Sequence, residues 1–184
     1  MNKINKLALL MLLTISLNAN AADPLGAITA IDNALHATSI LDIVAKAIAN
    51  GADINQVKTV PRLKVVSDCG DCKLSNATRM LMISAYNELA KVSDVSIDQD
   101  KQIIFKLTYL TSRNSFMRGT FGVLSGADII RGQLENDTHT IGEYSISHEM
   151  GIDEITQSLG EDVLKAIVTK NAENSNHDKA AIKD

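Results

Sequence analysis

From Ile103 to Leu110 the chain alternates, with Ile103, Phe105, Leu107 and Tyr109 on one side and Ile104, Lys106, Thr108 and Leu110 on the other. A period of two is the pleat of a β-strand, here with one face more apolar than its reverse. The stretches on either side keep a different period. Apolar residues at Ile28, Ile31, Leu35, Leu41, Val44 or Ala45, and Ile48 are spaced by three and four, which predicts an amphipathic helix over 25–50. Pro24 opens it, where a missing N–H costs nothing, and Gly51 lies just past its end, where a left-handed cap is cheap. At the far end Ile155, Leu159, Val163 and Ile167 recur every four residues and predict a helix over 152–168. A chain that changes period in this way folds as a sheet covered by helices.

The remaining elements fill in that plan. A connector over 53–61 leads to a short strand, Leu63-Lys64-Val65-Val66. Ser75 is placed to cap a helix running to about Val92, and its unbroken run Met80-Leu81-Met82-Ile83 implies cover on more than one side. Val95-Ser96-Ile97 followed by Asp98-Gln99-Asp100-Lys101 reads as a strand and a tight turn. After the alternating strand come a glycine-rich loop over 118–126, a strand over 127–135, the turn Asn136-Asp137-Thr138 and a strand over 140–148. The connections between these later strands are too short for parallel crossovers, so a meander is expected. The fold class is therefore α+β, a mixed α/β sandwich with a largely antiparallel sheet of about four to five strands. Residues 22–62 form an N-terminal helix and connector, 63–170 the α/β domain, and 171–184, which has little to bury, a disordered polar tail.

The amino terminus carries an export pattern. Lys3 and Lys6 make a positive start, an apolar run extends from Leu7 to Leu17, and Ala19 and Ala21 are the small residues a signal peptidase reads. Cleavage after Ala21 is expected, and the run falls short of the roughly 20 apolar residues of a membrane span. The mature chain is expected in the periplasm of a bacterium or secreted beyond it, with no membrane span after cleavage. The net charge of the chain is −4, and losing Lys3 and Lys6 leaves −6. An acidic chain lacks the basic face of a nucleic-acid binder. With three Phe, three Tyr and no Trp, it has few aromatic platforms for stacking bases or sugars.

Cys69 and Cys72 are the only cysteines, spaced C-x-x-C. In an oxidising compartment thiols this close are expected to form a disulfide. A structural bridge closing so small a ring stabilises by only about 2 kcal/mol in the chain-entropy account. Its role would be to fix the turn that launches the next helix. Thiol–disulfide exchange is the alternative, because the pair lies between a strand and a helix, where backbone N–H groups favour a thiolate. Against it, no proline occurs after Pro61, no aromatic residue precedes the pair, and Asp68 and Asp71 oppose thiolate formation. Metal binding is a third option for so compact a pair.

His36, His139, His148 and His177 lack the short spacings of a zinc site, and no metal site is expected. Gly119, Gly122 and Gly126 do not make a phosphate loop, since the G-K-[ST] ending is missing. No serine stands in a G-x-S-x-G elbow, no catalytic set can be named, and no cofactor is expected. The loop does carry Phe116, Met117, Arg118, Gly119, Phe121, Gly122 and Gly126, a candidate interaction segment whose apolar side chains must fold back or meet a partner.

The order of elements over 63–168, together with Arg118-Gly119-Thr120-Phe121-Gly122 before the penultimate strand, resembles bacterial envelope proteins related to the curli-secretion lipoprotein and the amino-terminal domain of TolB. The chain departs from that group in lacking a lipid-attachment cysteine and in carrying Cys69 and Cys72. The resemblance implies a non-enzymatic protein that contacts other envelope proteins, and self-association into a homo-oligomer is compatible with it. A periplasmic redox protein using Cys69 and Cys72, and a small-ligand binder using the sheet and glycine loop, are the readings from other classes.

Overall fold

Eight elements follow one another among the described residues: α1 (Pro24–Ala49), α2 (Ile54–Lys58), β1 (Thr59–Ser67), α3 (Asn76–Val92), β2 (Ser96–Thr111), β3 (Asp128–Glu135), β4 (Thr140–His148) and α4 (Ile152–Ala181). The computed structural model describes residues 24–70, 72, 74–111, 128–136, 140–148 and 151–181, with side chains over 35–70, 72, 74–111, 128–136, 140–146 and 151–175. Residues 1–21, where an export signal is expected, and the whole of the glycine loop lie outside them.

The fold is α+β. One sheet has the strand order β1-β2-β3-β4. β2, β3 and β4 form the expected antiparallel meander. β1 instead lies parallel to β2, so the sheet is mixed. The reason is the connection: the stretch from Ser67 to Ser96 holds all of α3, and a parallel crossover needs only about a dozen residues. The predicted turn at Asp98–Lys101 is a correction. It lies within β2, where the pairing jumps from Pro61↔Asp98 to Arg62↔Gln102. The local turn chemistry is still there, with the Asp100 N–H donating to Asp98 Oδ1 at 3.0 Å. The strand passes through it as a bulge, held by β1 on both sides. Part of the predicted connector over 53–61 is helical, α2, capped by Asp53.

One face of the sheet makes the core. Leu63 and Val65 of β1, Ile103, Phe105 and Leu107 of β2, and Ile130 and Leu134 of β3 are buried there. Their alternates, among them Lys64, Lys106 and Gln133, stay half-buried or exposed on the other face. Against the core face lies α4, whose predicted stripe Ile155, Leu159, Val163 and Ile167 is buried throughout. Leu164 and Val168, further round the same helix, are buried as well. This wide apolar arc follows from position, because α4 touches α1, α2, α3 and three strands. Its approach to α3 is very close: a β-carbon at Gly160 would run into the Met82 carbonyl. A mid-helix glycine costs about 1 kcal/mol, and the close helix contact is what it permits here.

α3 starts at its predicted cap, with Ser75 Oγ accepting from the Thr78 N–H at 3.0 Å. α1 matches its predicted span, and Gly51 beyond it has φ 89°, the left-handed region. The tail predicted over 171–184 is helical as far as Ala181, and 182–184 lie outside the described residues. Ala172 and Ser175 are buried, and Asn171 Nδ2 donates to the Thr59 carbonyl at 3.0 Å. Ser175 Oγ accepts from the Asp53 N–H at 2.9 Å. Small and polar residues dock this end of the helix, which a count of apolar side chains does not register. α1 and α2 also share one core with the sheet.

Candidate functional site

β1 ends in the turn that carries the cysteines. Cys69 and Cys72 form a disulfide, their Cα atoms 5.4 Å apart, and the Cys72 N–H donates to the Cys69 carbonyl at 3.2 Å. Ser67 Oγ donates to the Cys72 carbonyl at 3.1 Å and lies 3.7 Å from Cys69 Sγ. Ser67 thus ties the disulfide turn to the strand. The helix that follows begins only after Ser75, three residues beyond Cys72, and the Ser75 hydroxyl already takes the Thr78 N–H. The first turn of α3 thus starts four residues after Cys72, with one of its N–H groups already capped.

On the sheet face away from the helices, charges are partly matched. Lys106 Nζ stands 3.1 Å from Glu135 and 3.8 Å from Asp68, and the hydrogen bond to Glu135, then Asp68, raises its pKa. Gln133 donates to Glu143 at 3.0 Å, and the Arg131 guanidinium lies 5.3 Å from the centre of the Tyr109 ring. Toward β1 that matching ends. Arg62 and Lys64 are exposed and form no ion pair among the described residues.

β1 is an outer strand, and α3 runs beside it. Between them is a groove of about 580 Å³, lined by Arg62, Lys64 and Val66 from the strand and by Arg79 and Ile83 from the helix. Tyr86, further along α3, is fully buried, with its hydroxyl donating to the Pro61 carbonyl at 2.7 Å. Burial pushes the pKa of the Tyr86 phenol well above its usual value. Arg79 Nη1 donates to Asn76 Oδ1 at 3.3 Å. Met80, one residue on, is 58% exposed.

Of the residues singled out from the sequence, Cys69 and Cys72 are brought together. The candidate interaction segment with Phe116, Met117, Arg118, Gly119, Phe121, Gly122 and Gly126 lies outside the described residues. So does His139. His36 points into the α1–α4 contact, its Nε2 3.5 Å from Oε2 of Glu161. Glu161 is only 1% exposed, and nothing in the sequence marks it, because it stands off the i, i+4 stripe that predicts the buried face of α4. One histidine and one carboxylate fall short of a metal site, and the described residues hold no group of three or more metal-binding side chains. The cationic groove was also missed. The signal available was Lys64 in the predicted strand Leu63–Val66 with Arg62 just before it.

The fold and this site define an α+β domain with an open sheet edge beside a helix and a disulfide at its end. Comparison with known families, with curated proteins and with solved structures finds no match for this chain. No helix among the described residues is long and apolar enough to cross a membrane.

Proposed function

We propose that the chain is an exported protein of the bacterial envelope that acts by binding other envelope proteins, without catalysis of its own. The observation that carries this reading is on α1. Ile40, Val44 and Ala47 turn into the core, yet Leu41 and Ile48 on the flanking side are 37% and 41% exposed. Residues seven apart lie on one side of a helix, so these two form an apolar stripe that the described residues leave uncovered. The export pattern at Lys3–Ala21 and the resemblance over 63–168 support the same reading.

The alternative, thiol–disulfide exchange at Cys69 and Cys72, has weaker support. The pair stands between a strand and a helix as such sites do, but the Ser75 cap separates it from the helix N–H groups.

A photo-crosslinking residue placed at Leu41 or Ile48 tests the proposal in intact cells. Discrete adducts are expected from these positions and not from Lys91 on the exposed side of α3. A protein that crosslinks from no exposed position, and that sediments as a free monomer, refutes it.

A further inference from the structure

We infer that the outer edge of β1 is a docking site for an extended, acidic segment of a partner protein, which adds to the sheet as a further strand beside α3. This rests on the proposed function and names a second surface for it.

The main chain is set up for such pairing. Asp68 donates its N–H to the Leu107 carbonyl at 2.8 Å, and Ser67 stands opposite Leu107 in the parallel register. In a parallel ladder successive residues turn their N–H and C=O to opposite sides. The even-numbered residues of this stretch therefore bond to β2, and Leu63, Val65 and Ser67 present theirs outward. No strand lies beyond β1 among the described residues. The open stretch has defined ends. Pro61 lacks an N–H and its carbonyl is taken by Tyr86, while Ser67 is hooked to the disulfide turn.

The side chains specify the occupant. A strand laid along β1 would send alternate residues to the two sheet faces. Those on the outer face would stand beside Arg62 and Lys64, two exposed cations without ion-pair partners among the described residues. Those on the inner face would meet Ile83 and Arg79 of α3. The complementary segment alternates acidic with aliphatic residues. Among the described residues Asp68, at the end of this edge, is already drawn to Lys106, while Arg62 and Lys64 have no such partner, in an acidic protein. Addition of a strand to an exposed edge gives affinity through the main chain and specificity through alternate side chains.

Lysine and proline also occur on edge strands simply to repel other strands. The test separates the two accounts. The probe is a short fluorescein-labelled peptide alternating glutamate with valine, titrated with the mature protein and followed by anisotropy. Saturable binding is expected, weakened about tenfold by Arg62→Glu with Lys64→Glu. A peptide with lysine in place of glutamate should bind the wild type about tenfold more weakly and regain affinity for the charge-reversed variant. Val65→Pro removes one outward N–H and should abolish binding; if that variant does not fold, a peptide with proline at its centre makes the same deletion from the other side. No saturable binding, or binding indifferent to charge and to proline, overturns the proposal. So does a dimer of the chain that dissociates on reversing Arg62 and Lys64, which would assign the edge to a second copy. Crosslinking in cells separates the two levels: adducts from Leu41 but none from Lys64 overturn the edge site alone, whereas adducts from neither position overturn the proposed function as well.

Discussion

Deleting everything after Lys170 tests how the carboxy-terminal turns of α4 are held. The deletion removes Asn171, whose amide bonds the Thr59 carbonyl at the start of β1, and Ser175, whose hydroxyl accepts the Asp53 N–H at the cap of α2. Each part-buried hydrogen bond contributes about 1 kcal/mol net. Burial of the Ala172 methyl group adds about 0.8 kcal/mol. The expected loss is about 2–3 kcal/mol, a fall in Tm of about 5–10 °C for a chain of this size. Urea titration followed by far-ultraviolet circular dichroism measures it, with Asn171→Ala and Ser175→Ala as single-site controls at about 1 kcal/mol each. A truncated protein whose midpoint matches the full chain would refute the docked helix end and restore the tail expected from composition.

Tyr86→Phe removes the hydrogen bond to Pro61 and should cost about 1–2 kcal/mol at neutral pH by urea titration. Because burial raises the phenol's pKa in the folded protein, only the unfolded chain releases this proton easily; wild-type stability should fall above about pH 10, and more steeply than that of Tyr86→Phe. Replacing both Cys69 and Cys72 with Ser should cost no more than about 2 kcal/mol, and the bridge should have a reduction potential below about −300 mV in a thiol-trapping series; a potential in the range of exchange catalysts would revive the redox reading. Gly160→Val should destabilise by about 1–3 kcal/mol, because the new side chain must push α3 away at Met82; a variant as stable as wild type would show that the two helices are not in close contact.

The elements that could be read from the sequence are those with a local cause. α3 begins at Ser75 because its hydroxyl caps the helix, and β2 alternates because one face is buried. The missed features have their causes elsewhere in the chain. Asp98–Lys101 carries turn chemistry and even makes the turn's hydrogen bond, yet pairing with Val60, Pro61 and Arg62 keeps the strand going. The parallel pairing of β1 depends on α3 as a crossover, which a count of short connections elsewhere does not reveal. Asn171 and Ser175 look like tail residues because their partners, Thr59 and Asp53, stand more than a hundred positions away. The site divides in the same way. The cysteine turn is local and was expected, whereas the groove needs α3 laid beside β1 before Arg62, Lys64, Arg79 and Ile83 belong to one surface.

The reach of α4 also bears on when the molecule can exist. Its last described turns close on the cap of α2 and the first residue of β1, and α1 rests against its flank. The amino-terminal third therefore has no completed surface to settle on until the final helix has been made. Contacts of such long sequence separation form slowly. For a chain threaded through a secretion channel, as proposed, this delay is useful. On that reading a nascent or partly translocated chain would lack the keystone that locks it, and would stay threadable until its last helix is released.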